Sequence, residues 1–391
     1  MPAVYISRQP VVNRQSKIIA NRLTLHCQEG ATASDAVAML DTLAELWPQG
    51  EKQIFVNLSG APVDAALLAW QAPGNATLEI PSSVLAGPQG SELKAAAQAR
   101  GASLCLRLEG AEGLALGQGL ALRFVSFDAR RLSPTELKSA AVQAQAHGIG
   151  VAYNVFDAAA FKSCLDAGLA AAASWFFKQA AAPAGKALNP GQAQIVRVLN
   201  LVRKNADVKE IEAALKQDVA LSYKLLRYIN SAGFGLSCEI QSFRHAVTIL
   251  GYDKLNKWLS LLLATASKDP MAPALLHTAL TRARLMEEWS HGLVERQEYD
   301  NLFITGAFSL LDMLLGVSMD KVLESMHLPE PISDALLGRG GVYGPFLELA
   351  QISEGEDGAL LAERAGLLGL SAERFNRGQL MALAFADSME F

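Results

Sequence analysis

Apolar positions follow two rhythms along this chain. Up to about residue 180, short runs rich in β-branched and aromatic residues alternate with Ala-rich amphipathic stretches. The runs are Val4-Tyr5-Ile6, Lys17 to Leu25, Gln53 to Leu58, Thr77 to Ile80, Ser103 to Leu108, Phe124 to Phe127, Gly150 to Val155 and Ala170 to Trp175. Helices are expected at Ser34 to Leu46, Ala61 to Ala69, Ser91 to Arg100, Ser133 to His147 and Asp157 to Gly168. Strand and helix in turn predict a βα barrel or a doubly wound parallel sheet. About eight strand candidates favour the barrel, although ~250 residues is the usual length for one.

Beyond residue 188 the helical spacing of three and four is nearly continuous. Lys178 to Gly191 (KQAAAPAGKALNPG) loses periodicity to Ala, Pro and Gly and marks a boundary. The expected division is therefore α/β followed by all-α: a barrel over 1–180, a linker over 181–190 and a helical bundle over 191–391. Asn189-Pro190 starts the first helix of the bundle, with Asn as cap and Pro in the first turn. Asp207 caps the next, over Val208 to Lys216. Later helices are expected at Pro273 to Leu293, Leu302 to Leu315, Ser318 to Met326, Pro331 to Leu337, Tyr343 to Ser353, Asp357 to Leu368 and Ser371 to Asp387.

Within this half, Gln217 to Trp258 reads as three helices with two tight breaks. The first helix ends at Asn230-Ser231-Ala232-Gly233, a polar and Gly stop. Ser242 caps the second, which ends at Gly251, where a residue of positive φ fits, and Asp253 caps the third.

Composition excludes several function classes. Of 391 residues, 51% are hydrophobic and 19% charged, so sizeable cores are available and disorder is not expected. The net charge of −5 argues against a general nucleic-acid binder. Arg8 interrupts the N-terminus before any long apolar run, and the longest apolar segment, Phe303 to Val317, is too short to span a bilayer and contains Asp312. A cytoplasmic protein without membrane contact is expected. Cys27, Cys105, Cys164 and Cys238 have neither zinc spacing nor a disulfide framework and are expected as buried thiols.

The stretch at 217–258 resembles the HDOD domain, a metal-free relative of the HD phosphohydrolases. Asp218, Leu221, Lys224-Leu225-Leu226, Asn230-Ser231, Phe234-Gly235, Ser242, His245-Ala246 and Leu250-Gly251 carry the resemblance. The order and spacing of the N-terminal half resemble the EAL domain, the barrel of cyclic di-GMP phosphodiesterases. Arg8-Gln9-Pro10, IFVNLS from Ile54 to Ser59, Leu78-Glu79-Ile80, Phe124 to Asp128 and SWFF from Ser174 to Phe177 carry it.

Hydrolysis of a phosphodiester by that family implies oxygen ligands for Mg²⁺ or Mn²⁺ and a base for water. Residue by residue, the resemblance keeps Asn57, Glu79 and Asp128. It puts Arg22 at the signature Glu, His26 at the Arg of that motif, Arg107 and Leu108 at the paired aspartates and Ser126 at the Lys. Tyr153 and Phe156 stand at the two late glutamates and Ala173 at the late Gln. A cation at Arg22 and another at Arg107 oppose a divalent metal, so neither metal nor any other cofactor is expected. None of the six His (His26, His147, His245, His277, His291, His327) is followed by Asp, and the stretch Gly306 to Leu314 has no His where an HD pair is expected. Asp312 there reads as a core acid.

The expectation is a non-catalytic adaptor in cyclic di-GMP-linked control of motility, biofilm or virulence. The resemblance implies a signalling partner such as a diguanylate cyclase, a histidine kinase or a response regulator. Contact surfaces are expected at Lys224, Asn230, Ser231, Gly233, Phe234, Arg244, His245 and Gly251, and in the interdomain groove. Lys224, Arg227, Arg244, Lys254 and Lys257 read as a solvated basic face, or as a docking face for an acidic partner. Three alternatives are a cyclic di-GMP receptor using Arg22 or Arg107, a residual phosphodiesterase, and a scaffold that dimerises through the barrel.

Overall fold

In the computed structural model, residues 3–109, 111–178, 188–217, 240, 242–265 and 270–389 are described. All eight expected runs form strands: β1 Val4–Asn13, β2 Ile18–Cys27, β3 Gln53–Ser59, β4 Ala76–Pro81, β5 Leu104–Leu108, β6 Leu122–Asp128, β7 Ile149–Tyr153 and β8 Ala171–Ala173. They close in sequence order into a barrel. From β2 to β8 neighbouring strands are parallel, while β1 runs antiparallel to both β2 and β8.

Side chains alternate across each strand, so every second residue enters the barrel. Val11, Ala20, Phe55, Cys105, Phe124, Val151 and Ala171 form one buried layer, with Phe55 and Phe124 edge to face at 4.7 Å. Two residues further along the parallel strands, the same parity delivers Arg22, Asn57, Arg107, Ser126 and Tyr153. This is the end where βα barrels carry their sites.

The barrel helices are Ala33–Thr42, Ser82–Ala86, Gly90–Arg100, Pro134–Ala144 and Ala158–Asp166. The helix expected over Ala61 to Ala69 is reduced to the single 3₁₀ turn Leu67–Ala69. The Asp64 carboxylate there accepts from the Ala66 amide at 2.9 Å, a local turn that competes with helix.

Contacts divide the chain into two units: Met1–Gln179 with Ile352–Leu380, and Ala180–Gln351 with Met381–Phe391. The expectation put all of 191–391 in the helical half; Ile352–Leu380 instead groups with the barrel. The backbone of β1 explains why. Strand β8 pairs only with Val11 to Asn13, and Ser174 N–H adds one bond to Pro10 O at 3.0 Å. The remaining edge of β1 would be an open row of donors and acceptors. The C-terminal segment completes it: Arg8 N–H donates to Ser353 O at 2.9 Å and Ile6 N–H to Asn376 Oδ1 at 2.9 Å. Asn376 Nδ2 donates in return to Val4 O at 2.8 Å.

In the helical region, Pro190–Arg203 starts with a full capping box between Asn189 and Gln192, and Val208–Lys216 is capped by Asp207. Ser242 caps Phe243–Ala264, and Gly251 breaks that helix at φ 75° and ψ 174°. Leu302 to Leu315, expected as one helix, is Tyr299–Phe308 followed by Leu311–Leu315. Ser309 Oγ bonds back to Gly306 O at 2.7 Å where the first of these ends. The backbone at Gly251 is one that only glycine adopts freely, and a Cβ there meets nothing within 4 Å. Gly251→Ala is therefore expected to cost about 1–3 kcal/mol from backbone strain alone, read as a lower midpoint in equilibrium unfolding.

Candidate functional site

At the barrel mouth the strands present a compact charged layer. Arg22 on β2 meets Glu79 on β4 through Nε to both carboxylate oxygens at 2.9 Å and Nη2 to Oε2 at 2.9 Å. Both side chains are almost wholly buried, at 5% and 3% exposure. Burial, the largest single effect, pulls the Arg22 guanidinium down, but the charge and hydrogen bonds of Glu79, with Glu356 and Cys105 adding to them, together hold it above its ordinary pKa.

Asn57 is equally engaged. Its Nδ2 donates to Thr24 Oγ1 at 3.3 Å and its Oδ1 accepts from Arg107 Nη1 at 3.3 Å. Arg107 lies over the Tyr153 ring at 6.0 Å, and its Nε has no hydrogen-bond partner among the described residues. Tyr153 donates its hydroxyl to Leu108 O at 3.0 Å, and burial, followed by the Asp128 charge, pushes its pKa up to about 12. Asp128 accepts from the Arg130 backbone and side chain and from Asn154 Nδ2, with Arg131 at 3.7 Å. Ser126 and Leu108 are buried, whereas Phe156 is 52% exposed and lies outside this layer, over Arg130.

A segment that strand periodicity could not place covers this end. Glu354 pairs with Lys178 at 2.5 Å, and its carbonyl accepts from Trp175 Nε1 at 2.7 Å. Glu356 reaches Arg22 Nη1 at 3.4 Å, while its own side chain is 62% exposed. Gly358 O accepts from Gln28 Nε2 at 3.1 Å. Gly358 sits so close to His26 that a Cβ would fall 2.5 Å from the His26 Cβ. The signal in the sequence was indirect: two arginines inside one barrel with Glu79 as the single partner carboxylate call for an acid from elsewhere.

His26 is buried, with Nε2 2.8 Å from Ser7 Oγ. Burial holds its imidazole below the ordinary 6.5; Glu356 pulls the other way and Arg22 adds to the lowering. The unfolded chain therefore takes up this proton first. Stability supplied by neutral His26 is complete above about 6.5 and is lost as pH falls from there through the depressed folded value. His26→Gln is expected to flatten that part of the unfolding free energy against pH, compared with the unsubstituted chain.

Cys27, Cys105 and Cys164 are buried free thiols, as expected, and burial pushes Cys27 and Cys164 up to about 11; Cys238 lies outside the described residues.

Residues 190–307 match the HDOD domain. The helical region carries an HDOD domain. Of the surface expected for it, Lys224, Asn230, Ser231, Gly233 and Phe234 lie outside the described residues, as does Arg227. Arg244 is exposed and pairs with Glu212 at 3.3 Å. The His245 amide donates to Ser242 Oγ at 3.2 Å, as the cap requires. Lys254 is exposed. Lys257 departs from the solvated basic face: it pairs with Glu287 at 2.5 Å and Asp300 at 3.3 Å and lies over Phe303 at 3.9 Å. It closes an HDOD core contact, because Glu287 and Phe303 are themselves buried. Asp312 is held above its ordinary pKa by burial, opposed by backbone hydrogen bonds and by Arg282.

Two relatives are similar over part of their length. The cyclic di-GMP phosphodiesterase CdgJ of Vibrio cholerae is 34% identical over 170 residues, 43% of this chain and 39% of that protein. The uncharacterized protein YuxH of Bacillus subtilis is 25% identical over 201 residues, 50% of this chain and 48% of that protein. The chain thus spans less than half the length of either. Among solved structures, the EAL domain of FimX from Xanthomonas citri, in complex with c-diGMP, is 14% identical. That match covers 45% of this chain and 87% of that chain, with a TM-score of 0.33.

The donors at the mouth do not fit a divalent metal. Glu79 is spent on a guanidinium, Asn57 on another, and Asp128 on Arg130, Arg131 and Asn154. Among the described residues, no three His, Cys, Asp or Glu side chains come together as a metal site. Among them also, no helix is long and apolar enough to cross a membrane.

Proposed function

We propose that this chain is a non-catalytic adaptor that works by protein–protein contact in cyclic di-GMP-linked signalling. The observation that carries the proposal is Arg22, which stands where the EAL resemblance puts the signature Glu and is locked on Glu79 by a buried, bidentate ion pair. A carboxylate so held cannot also serve a metal or a water nucleophile. The HDOD domain supports the adaptor side, with exposed Arg244 on the expected contact face. Its partner would be a diguanylate cyclase, a histidine kinase or a response regulator, and dimerisation through the barrel is compatible with that role. The name of CdgJ points the other way, to phosphodiesterase activity, so the test is direct. The purified full chain with cyclic di-GMP and Mg²⁺ or Mn²⁺ is expected to yield no linear dinucleotide, and product formation would overturn the proposal.

One observation favours a second reading, a receptor that binds the dinucleotide without cleaving it. Arg107 is a half-buried cation with no carboxylate partner among the described residues, and its sheltered Nε is unpaired there. Calorimetric titration with cyclic di-GMP separates receptor from pure adaptor: heat without product supports the receptor.

A further inference from the structure

The C-terminal segment brings a charge of its own to the mouth. Arg22 and Arg107 enter from the barrel, and among the described residues Glu79 is the barrel carboxylate that pairs with Arg22. Asp128 is already met by Arg130 and Arg131, and burial disfavours a charge on His26. The fourth charge is Glu356, which belongs to no strand.

Its attachment differs in kind from that of its neighbours. Ser353 and Glu354 are buried at 1% and 6% exposure and are fixed through Arg8, Lys178 and Trp175. Gly358 is pressed on His26 and bonded to Gln28. Between these anchors Glu356 makes a single 3.4 Å contact to Arg22, with most of its side chain in solvent. A one-point, solvent-screened pair is weak, whereas the Arg22 bond to Glu79 is buried and two-pronged.

We propose that Glu356 is a tethered, displaceable anion: it occupies the place on Arg22 that a phosphate oxyanion would take, so Glu356 and a phosphate-bearing ligand exclude one another. This rests on the receptor reading above and adds its control. Arg22 Nη1 is the shared contact. When Glu356 leaves, the mouth keeps two guanidinium groups against one carboxylate, and the surplus charge draws an anion in. Gly358 sets the register of the loop, since any Cβ there must move it off His26.

The test compares the full chain with Glu356→Gln and Gly358→Ala, titrated with fluorescently labelled cyclic di-GMP and, separately, with inorganic phosphate. Glu356→Gln removes the competing charge and Gly358→Ala loosens the loop by shape alone. Both are expected to bind cyclic di-GMP about tenfold more tightly than the unsubstituted chain, within the usual span of coupling between linked sites. The same tightening for inorganic phosphate alone would support the gate and assign a simple oxyanion as its ligand. Equal affinity in all three proteins would overturn the gate and leave the receptor reading standing. No binding of either probe by any of them would overturn both.

Discussion

Arg22→Met is expected to destabilise the barrel by about 3–5 kcal/mol, the cost of leaving one partner of a buried ion pair alone. Glu79 would remain at 3% exposure, beside Cys105 on the neighbouring strand, with its ion-pair partner gone. Neither Asn57 nor Glu356 can replace a two-pronged guanidinium: the first is held by Thr24 and Arg107, and the second carries the wrong charge. Arg22→Lys is expected to recover only part of the loss, because an ammonium cannot reproduce the planar fork. The double variant Arg22→Met/Glu79→Leu should regain most of it, since a well-packed apolar pair often matches a buried ion pair in stability. Urea unfolding of Arg22→Met, Glu79→Leu and the double variant closes a cycle. A single-variant loss below about 1 kcal/mol, the level of an exposed pair, would show that the Arg22–Glu79 lock contributes little.

The same lock neutralises Glu79 from within the barrel. A site of clustered carboxylates is stable only when a cation neutralises it. Here the neutralising cation, Arg22, is covalently part of β2, so the charge requirement of Glu79 is met by the chain itself. Ser126 is buried there, and the Tyr153 hydroxyl donates to Leu108 O, which ties β7 to β5 at that end of the barrel.

How far the sequence revealed this depends on what each pattern encodes. The strands were legible because alternation and β-branched runs report the pleat directly; that Arg22, Asn57 and Arg107 share one inner layer follows from the register of the strands in the structure. Gly251 was legible because a glycine after an apolar helical run marks positive φ. The helix over Ala61 to Ala69 was misjudged because alanine spacing says nothing about the Asp64 side chain that captures the Ala66 amide. Lys257 was misjudged because a lysine on an amphipathic helix reads as solvated, whereas its partners Glu287 and Asp300 come from elements thirty and more residues away.

The C-terminal segment is the deeper case. Asp357 to Leu368 and Ser371 to Asp387 were read as helices, and helices span Gly358–Leu367 and Ala372–Ser388. Amphipathic spacing says that a face is buried but not what covers it. The reason is visible only in the structure: β8, Ala171–Ala173, is too short to pair with all of β1, Val4–Asn13, whereas the sequence suggested a last run from Ala170 to Trp175 against a first of Val4 to Ile6.

Asn376 finishes the β1 edge with a side chain, and its removal is the second large effect expected. The residue is fully buried, and its amide bonds Ile6 N–H and Val4 O as an adjacent strand would. Asn376→Leu keeps the approximate volume but strands one backbone donor and one acceptor away from water. At about 1–3 kcal/mol for each unsatisfied group, the loss should be roughly 3–4 kcal/mol. For a unit of this size that corresponds to a fall of about 10 °C in the barrel's Tm. Asn376→Asp gives the sharper result. Its carboxylate still accepts from Ile6 N–H but faces the Val4 carbonyl with no proton between them, so at pH 7 it should be no better than leucine. Acidification that protonates the carboxyl restores a donor toward Val4 O and should narrow its deficit relative to Asn376→Leu. If Asn376→Leu unfolds with the unsubstituted chain, the β1 edge is satisfied by other means and the C-terminal segment is not structurally part of the barrel. If it falls as expected, chains cut before Ile352 should lose the barrel's cooperative transition as well, because three backbone bonds to β1, at Arg8, Ile6 and Val4, would be lost at once.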